Sequence, residues 1–184
     1  MCIRDSFKRG DKTDPGHCRG ITLLSTVGKT FCKMLNDRVG TVLENEEKIS
    51  VGQADFRTNS SCVDHVFTLR KIVQSRKGAR LTTYCFFLDV QKAYDTVWRN
   101  GLWKKLREAG IRRKMWRMVK KKTECAKSAM MLDGEISKNF DILQGVAQRC
   151  TLSPTLSEVF INDLILVIEM HSKKSRWGTT WYQV

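Results

Sequence analysis

The sequence predicts an α+β fold, with helices packed on one face of a small, mainly antiparallel sheet. Three observations carry that expectation. Apolar residues recur at helical spacing in several separate stretches, an Asp-Gly turn sits between two alternating strands, and an apolar run ends abruptly in an acid. With 184 residues the chain is long enough for one core, and a hydrophobic fraction of 41% with only two prolines belongs to a folded chain.

The elements follow in order. Met1 to Ser6 carries no usable pattern, and Phe7 to Arg19 is polar and turn-rich around Asp14-Pro15-Gly16, which predicts a loop between short extended pieces. From Leu24 to Leu43, Leu24, Val27, Phe31, Met34, Leu35, Val39 and Val42 fall on one helical face, with Gly28 expected to fray the start. A second helix is predicted over 61–74, its stripe made of Val63, Val66, Phe67, Leu69, Ile72 and Val73. Tyr84 to Val90 reads as a buried strand that delivers Asp89 to its end.

A basic helical region comes next. Leu102, Trp103 and Leu106 open it, Gly110 breaks it, and Ile111, Met115, Met118 and Val119 line one face of its continuation. Arg112, Arg113, Lys114, Arg117, Lys120, Lys121 and Lys122 make up the remainder, either a solvated cationic face or a surface that meets phosphate. Asp133-Gly134 predicts a tight hairpin over 128–137. Ser153-Pro154 then places a cap before a proline at the first helical position, followed by Leu156, Val159, Phe160, Leu164, Val167 and Ile168.

Charge and cysteine usage narrow the function. Lys plus Arg outnumber Asp plus Glu by 33 to 19, a net charge of +14, which points to a polyanionic partner, nucleic acid before membrane. Seven cysteines are scattered without a C-x-x-C pair, the pattern of reduced thiols in an intracellular chain of nucleus or cytoplasm. No apolar stretch reaches the roughly 20 residues that span a bilayer.

Four segments in register resemble the reverse transcriptase domain of non-LTR retrotransposons of the LINE type, jockey-like in character. They are Lys8 to Ser25, with Arg19 before Gly20-Ile21; Gln53-Ala-Asp-Phe-Arg57, similar to Q-x-G-F-R; Phe87 to Trp98 around Asp89; and Gly145-Val-Ala-Gln148-Arg-Cys-Thr-Leu-Ser153-Pro154, similar to G-V-R-Q-G-x-x-L-S-P. Phe160-Ile-Asn-Asp163 matches the helix that follows.

The resemblance implies the fingers and partial palm of a right-hand polymerase. After an unassigned segment 1–7, fingers would run over about 8–83 and an incomplete palm over about 84–184. It implies RNA-directed DNA synthesis by two-metal nucleotidyl transfer, with Mg²⁺ as cofactor and an RNA template, an RNA–DNA hybrid and a deoxynucleoside triphosphate as partners. Asp89, with the backbone carbonyl of Val90, would hold metal. Tyr94 would stack beneath the incoming sugar, Gln148 would line the nucleotide pocket, and Arg19, Lys8 and Arg9 would hold the triphosphate. Arg57, Arg112, Arg113, Lys120, Lys121 and Lys122 would meet nucleic acid.

Departures qualify the match. Arg149 and Asp55 stand where the motifs have glycine, and Ser157 replaces an apolar residue. The second palm carboxylate pair, Phe/Tyr-Ala-Asp-Asp, does not occur before Val184. The expectation is therefore a reverse transcriptase fragment that is inactive by itself; the alternative is a non-catalytic, basic nucleic-acid-binding remnant.

Overall fold

The structure is a computed structural model; it describes residues 2–7, 18–50, 52–53, 61–85, 87, 90–132 and 134–174. Two compact units alternate along the chain. The first comprises Met1–Lys48 and Lys92–Phe160, the second Ile49–Gln91 and Ile161–Val184.

Among the described residues, five strands form, all in the first unit. β1 (Cys2–Phe7) and β2 (Cys18–Leu23) pair antiparallel from Cys2↔Leu23 to Phe7↔Cys18. β3 (Lys127–Leu132) is the hub of the sheet. It pairs parallel to β1 at Ala129 and Met130, and antiparallel to β4 (Glu135–Ile136) and β5 (Phe140–Asp141). Leu132↔Glu135 closes the two-residue turn predicted at Asp133-Gly134, and Gly134 takes the positive φ (88°) such a turn requires. The sheet is thus mainly antiparallel with one parallel step. The sequence missed β1, because 1–6 lacks alternation that could distinguish a strand from a loop, and it missed the very short β5.

The helices of this unit bury only part of their predicted faces: Leu35 and Val39 of the first helix are buried, whereas Val27, Phe31 and Met34 are exposed, because the stripe is wider than the layer that covers it. α1 (Thr26–Asn45) begins two residues later than its pattern, where the Ser25 hydroxyl accepts the Gly28 N–H at 3.2 Å, so the expected frayed start is a capped one. Cys32, Leu35, Val39 and Leu43 are its buried residues. α3 (Arg99–Glu108) and α4 (Arg113–Glu124) contribute Leu102, Leu106 and Val119 to the same core, and Ile111 between them is fully buried. α5 (Ser153–Lys174) starts at Ser153, one residue before the position its cap reading assigned, and buries Leu156 and Val159 in its first turns.

Three helices end in the same way. Ile111 N–H returns to Leu106 C=O at 2.9 Å and Gly110 N–H to Arg107 C=O at 3.1 Å, a Schellman closure with Gly110 at φ 90°. α1 repeats the pattern through Lys48 and Leu43 with Glu47 at φ 47°. α2 (Cys62–Gly78) repeats it through Leu81 and Arg76 with Arg80 at φ 57°. Where glycine fills the left-handed position the closure is unstrained; Glu47 and Arg80 hold it against the Cβ penalty.

The second unit corrects two expectations. α2 exists, and its Asp64 carboxylate receives the Ser61 N–H at 3.0 Å, but its apolar stripe is open: Val63, Val66 and Phe67 are exposed and His65 is its buried residue. Helical period marks the apolar face, yet burial needs a second layer, and among the described residues this unit holds no strand to supply one. For the same reason Leu164 and Val167 of α5 are exposed. The predicted strand over 84–90 does not form at its described positions: Tyr84, Cys85, Phe87 and Val90 lie in no ladder, and Tyr84 and Phe87 are exposed. The adjoining stretch is held instead by Arg76, which donates to Thr83 Oγ1 at 3.1 Å and Thr82 C=O at 2.7 Å. Buried Ser50 donates its N–H to Asn162 Oδ1 at 2.9 Å, which ties Ser50 to α5 within this unit. Among the described residues no helix is long and apolar enough to cross a membrane.

The helix ends yield a paired prediction. Glu47→Gly should raise stability by about 0.5–1 kcal/mol, and Gly110→Ala should lower it by about 1 kcal/mol, because a Cβ at Gly110 meets only ordinary contacts and the cost lies in φ alone. Urea midpoints at unchanged slope are the measurement.

Candidate nucleotide site and cationic face

The first candidate site is built from two segments of the first unit. Residues 92–96 form a turn in which Asp95 N–H and Thr96 N–H both donate to Lys92 C=O, at 2.9 and 3.1 Å. The 142–152 loop docks on it through main-chain bonds. Val146 N–H donates to Tyr94 C=O at 2.8 Å, Gly145 N–H to Val97 C=O at 3.0 Å, and the Gln144 amide to Thr96 C=O at 3.0 Å. The approach is so close that a Cβ on Gly145 would fall 2.7 Å from the carbonyl oxygens of Tyr94 and Asp95; its φ is 79°. Glycine is required there twice over, by space and by dihedral.

Arg99 fixes this arrangement. It is buried, and its guanidinium donates to Gly145 C=O at 2.8 Å, Ile142 C=O at 2.5 Å and Gln144 C=O at 3.2 Å. Burial pushes its pKa down, but a guanidinium keeps its proton in a protein, so the charge stays and the carbonyls answer it. The rigid fork of five donors suits three carbonyls on one loop, which a lysine could not reach together.

Beyond the clamp, Gln148 and Arg149 form a turn closed by Cys150 N–H to Ala147 C=O at 3.2 Å. Gln148 is half-buried and Arg149 exposed, with φ at 67°. An arginine therefore occupies a left-handed position, at the very place where the motif has glycine. Cys150 and Cys32 of α1 are both buried, and Cys150 acts on the Cys32 thiol. Burial pushes the Cys32 pKa up, Cys150 adds to this, and Lys122 opposes it. Ser157 is half-buried on the helix that follows.

The residues predicted for the nucleotide site, with Arg57 and Asp55, fall into four groups. Tyr94, half-buried, and Gln148 lie on the two segments that Arg99 joins. Arg19 lies on β2, the edge strand, opposite Ser6 in register. Val90 belongs to the second unit and is exposed. Asp89, Lys8, Arg9, Arg57 and Asp55 lie outside the described residues. Among the described residues no group of three His, Cys, Asp or Glu side chains could hold a metal ion, so these residues alone do not make a Mg²⁺ site.

The second candidate site is the α3–α4 pair. Trp116 Nε1 donates to Trp103 C=O and Trp103 Nε1 to Thr123 Oγ1, each at 2.9 Å. Arg107 stacks 4.5 Å from the Trp116 ring centroid, and Lys120 lies 4.8 and 5.5 Å from Trp103 and Trp116. A concavity of about 550 Å³ opens among Arg107, Arg112, Arg113, Trp116 and Arg117.

The three consecutive lysines do not share one face. Lys120 is half-buried against the tryptophans and 3.6 Å from Glu124, Lys121 is exposed, and Lys122 turns toward Cys32. Successive helical residues are about 100° apart, so a charge run in sequence scatters in space. Arg107, Trp116 and Arg99 were missed. Arg107 sits on α3, apart from most of the charge run, Trp116 sits within that run but carries no charge, and Arg99 finds its partners on a loop distant in sequence.

The chain is similar to known proteins over most of its length. The family described as Reverse transcriptase (RNA-dependent DNA polymerase) matches residues 8–178. A probable RNA-directed DNA polymerase from transposon X-element of Drosophila melanogaster is 23% identical over 82% of this chain and 16% of its own length. The RNA-directed DNA polymerase from mobile element jockey of the same species is 27% identical over 83% of this chain and 16% of its own. The retrovirus-related Pol polyprotein from type-1 retrotransposable element R2 of Popillia japonica is 23% identical over 88% of this chain and 22% of its own.

The clamp can be tested by stability. Arg99→Met should cost about 2–4 kcal/mol, because it strips the donor from buried carbonyls, and Arg99→Lys should recover only part of that. Arg149→Gly should gain about 1 kcal/mol by relieving the left-handed residue. Chemical denaturation reads all three.

Proposed function

Because this chain belongs to the reverse transcriptase (RNA-dependent DNA polymerase) family, we propose that it forms the fingers and part of the palm of an RNA-directed DNA polymerase of a retrotransposon. The fingers would comprise about 8–83 and the palm segment about 84–184. The chain spans 16% of the length of its fly relatives, so this activity is that of a longer polypeptide.

The observation that carries the reading is the docking of the Gln148 loop on the Tyr94 turn. Two motifs far apart in sequence meet through Val146 N–H, Gly145 N–H and the Arg99 fork. A template-directed transferase needs such juxtaposition, since its catalysis is positioning together with charge stabilisation. In this reading Tyr94 supports the sugar of a deoxynucleoside triphosphate and Gln148 lines its pocket. Arg19, Lys8 and Arg9 hold the phosphates, and Asp89 with the Val90 carbonyl provides one side of a Mg²⁺ site. Mg²⁺, when bound, supplies charge neutralisation on the triphosphate. Arg57, Arg112, Arg113, Lys120, Lys121 and Lys122 serve an RNA template or RNA–DNA hybrid.

Arg149 favours a second reading, a nucleic-acid-binding remnant without chemistry. An exposed cationic side chain at φ 67° replaces the glycine that lets the main chain approach a ligand.

Primer extension on an RNA template separates the two readings, using a polypeptide that joins this chain to the remaining palm and thumb of a jockey-type relative. Incorporation should be low, rise several-fold with Arg149→Gly, and vanish with Asp89→Ala. Extension that survives Asp89→Ala overturns the site assignment. Hybrid binding without incorporation in either arginine or glycine form supports the remnant.

A further inference from the structure

Four exposed arginines, Arg107, Arg112, Arg113 and Arg117, surround the concavity of about 550 Å³ beside Trp116. Among the described residues none of the four has a carboxylate within ion-pair distance. The two acids of α3 and α4 are already taken by lysines, Glu108 by Lys104 at 3.8 Å and Glu124 by Lys120 at 3.6 Å. Four like charges around one hollow repel each other unless an anion is present.

The hollow is also rigidly prepared. The Trp103 carbonyl holds Trp116 through its indole N–H at 2.9 Å, and the Arg107 guanidinium carbon lies 4.5 Å from that ring's centroid. α4 starts at the same place with no acid in its first turn and no side-chain cap, which adds the positive end of its dipole.

We propose that this concavity binds the phosphates of a single-stranded nucleic acid, at a site separate from the Tyr94 and Gln148 segments. The inference rests on the nucleic-acid reading above and gives it a location. Planar arginine forks match phosphate oxygens bidentately. A flexible strand can bend phosphodiesters into a hollow, whereas a stiff duplex presents them on a convex surface. A bilayer surface is flat and calls for inserted apolar side chains, whereas Trp116 at this rim is half-buried with its indole N–H held by Trp103.

The test is fluorescence anisotropy of the full chain with a labelled oligouridylate at about 50 and 200 mM salt. Arg107→Gln with Arg117→Gln should weaken binding about 10-fold and lower the salt slope by about two, one per lost phosphate contact. Lys71→Gln with Lys77→Gln removes the same charge from α2 and should change affinity less than about 2-fold. Quenching of tryptophan fluorescence by the oligonucleotide should fall in Trp116→Phe, which reports the location independently of affinity.

Equal losses in the two double variants would reduce the effect to net charge and overturn the pocket, while leaving nucleic-acid binding intact. No binding by the parent chain would remove that broader reading as well. Duplex RNA or phosphatidylserine vesicles that compete as well as the single strand would also overturn the proposal.

Discussion

Arg99 donates from a buried position to three carbonyls of one loop, and the shape of the candidate nucleotide site depends on that fork. A buried charge is costly unless its donors are answered, so the loop is drawn in around the guanidinium. Gly145 makes the arrangement possible, since any side chain there would strike the main chain of Tyr94 and Asp95. Side-chain electrostatics and main-chain sterics thus converge on one contact. Tyr94 and Gln148 inherit their placement from it, and the Tyr94 carbonyl adds its own bond from Val146 N–H.

The helical layer of the first unit was legible because its signals are local. Gly110 announced the break between α3 and α4, Asp133-Gly134 the hairpin, and Ser153-Pro154 the last helix to within one residue. Long-range effects were not legible. Nothing in the Arg99 neighbourhood marks it as buried, because its partners are carbonyls 43 to 46 residues away and carbonyls leave no trace in sequence. The stripe of α2 was legible as apolar but its exposure was not, since a period reports a face and says nothing of what covers it. The segments that carry Tyr94 and Gln148 dock on one another, whereas Asp89 lies outside the described residues.

The α3–α4 pair shows how aromatic residues sort cations. Lys120 and Arg107 lie against indole rings, where the ring quadrupole offsets part of their desolvation. Arg112, Arg113 and Arg117 remain at the surface. A chain with a formal charge of +14 therefore does not spread it evenly; some cations serve as packing material and others as a field directed outward.

The parallel pairing of β1 with β3 has a consequence for synthesis. β1 and β2 can close as a hairpin soon after they leave the ribosome, but the partner at Ala129 and Met130 follows only after α1 to α4 have been made. At ordinary elongation rates the interval is on the order of ten seconds. Throughout it, the free edge of β1 presents unpaired N–H and C=O groups that another nascent chain could satisfy. Yield in a cell would then depend on how well that edge is shielded during translation, and slower elongation would lengthen the exposure without altering the finished fold.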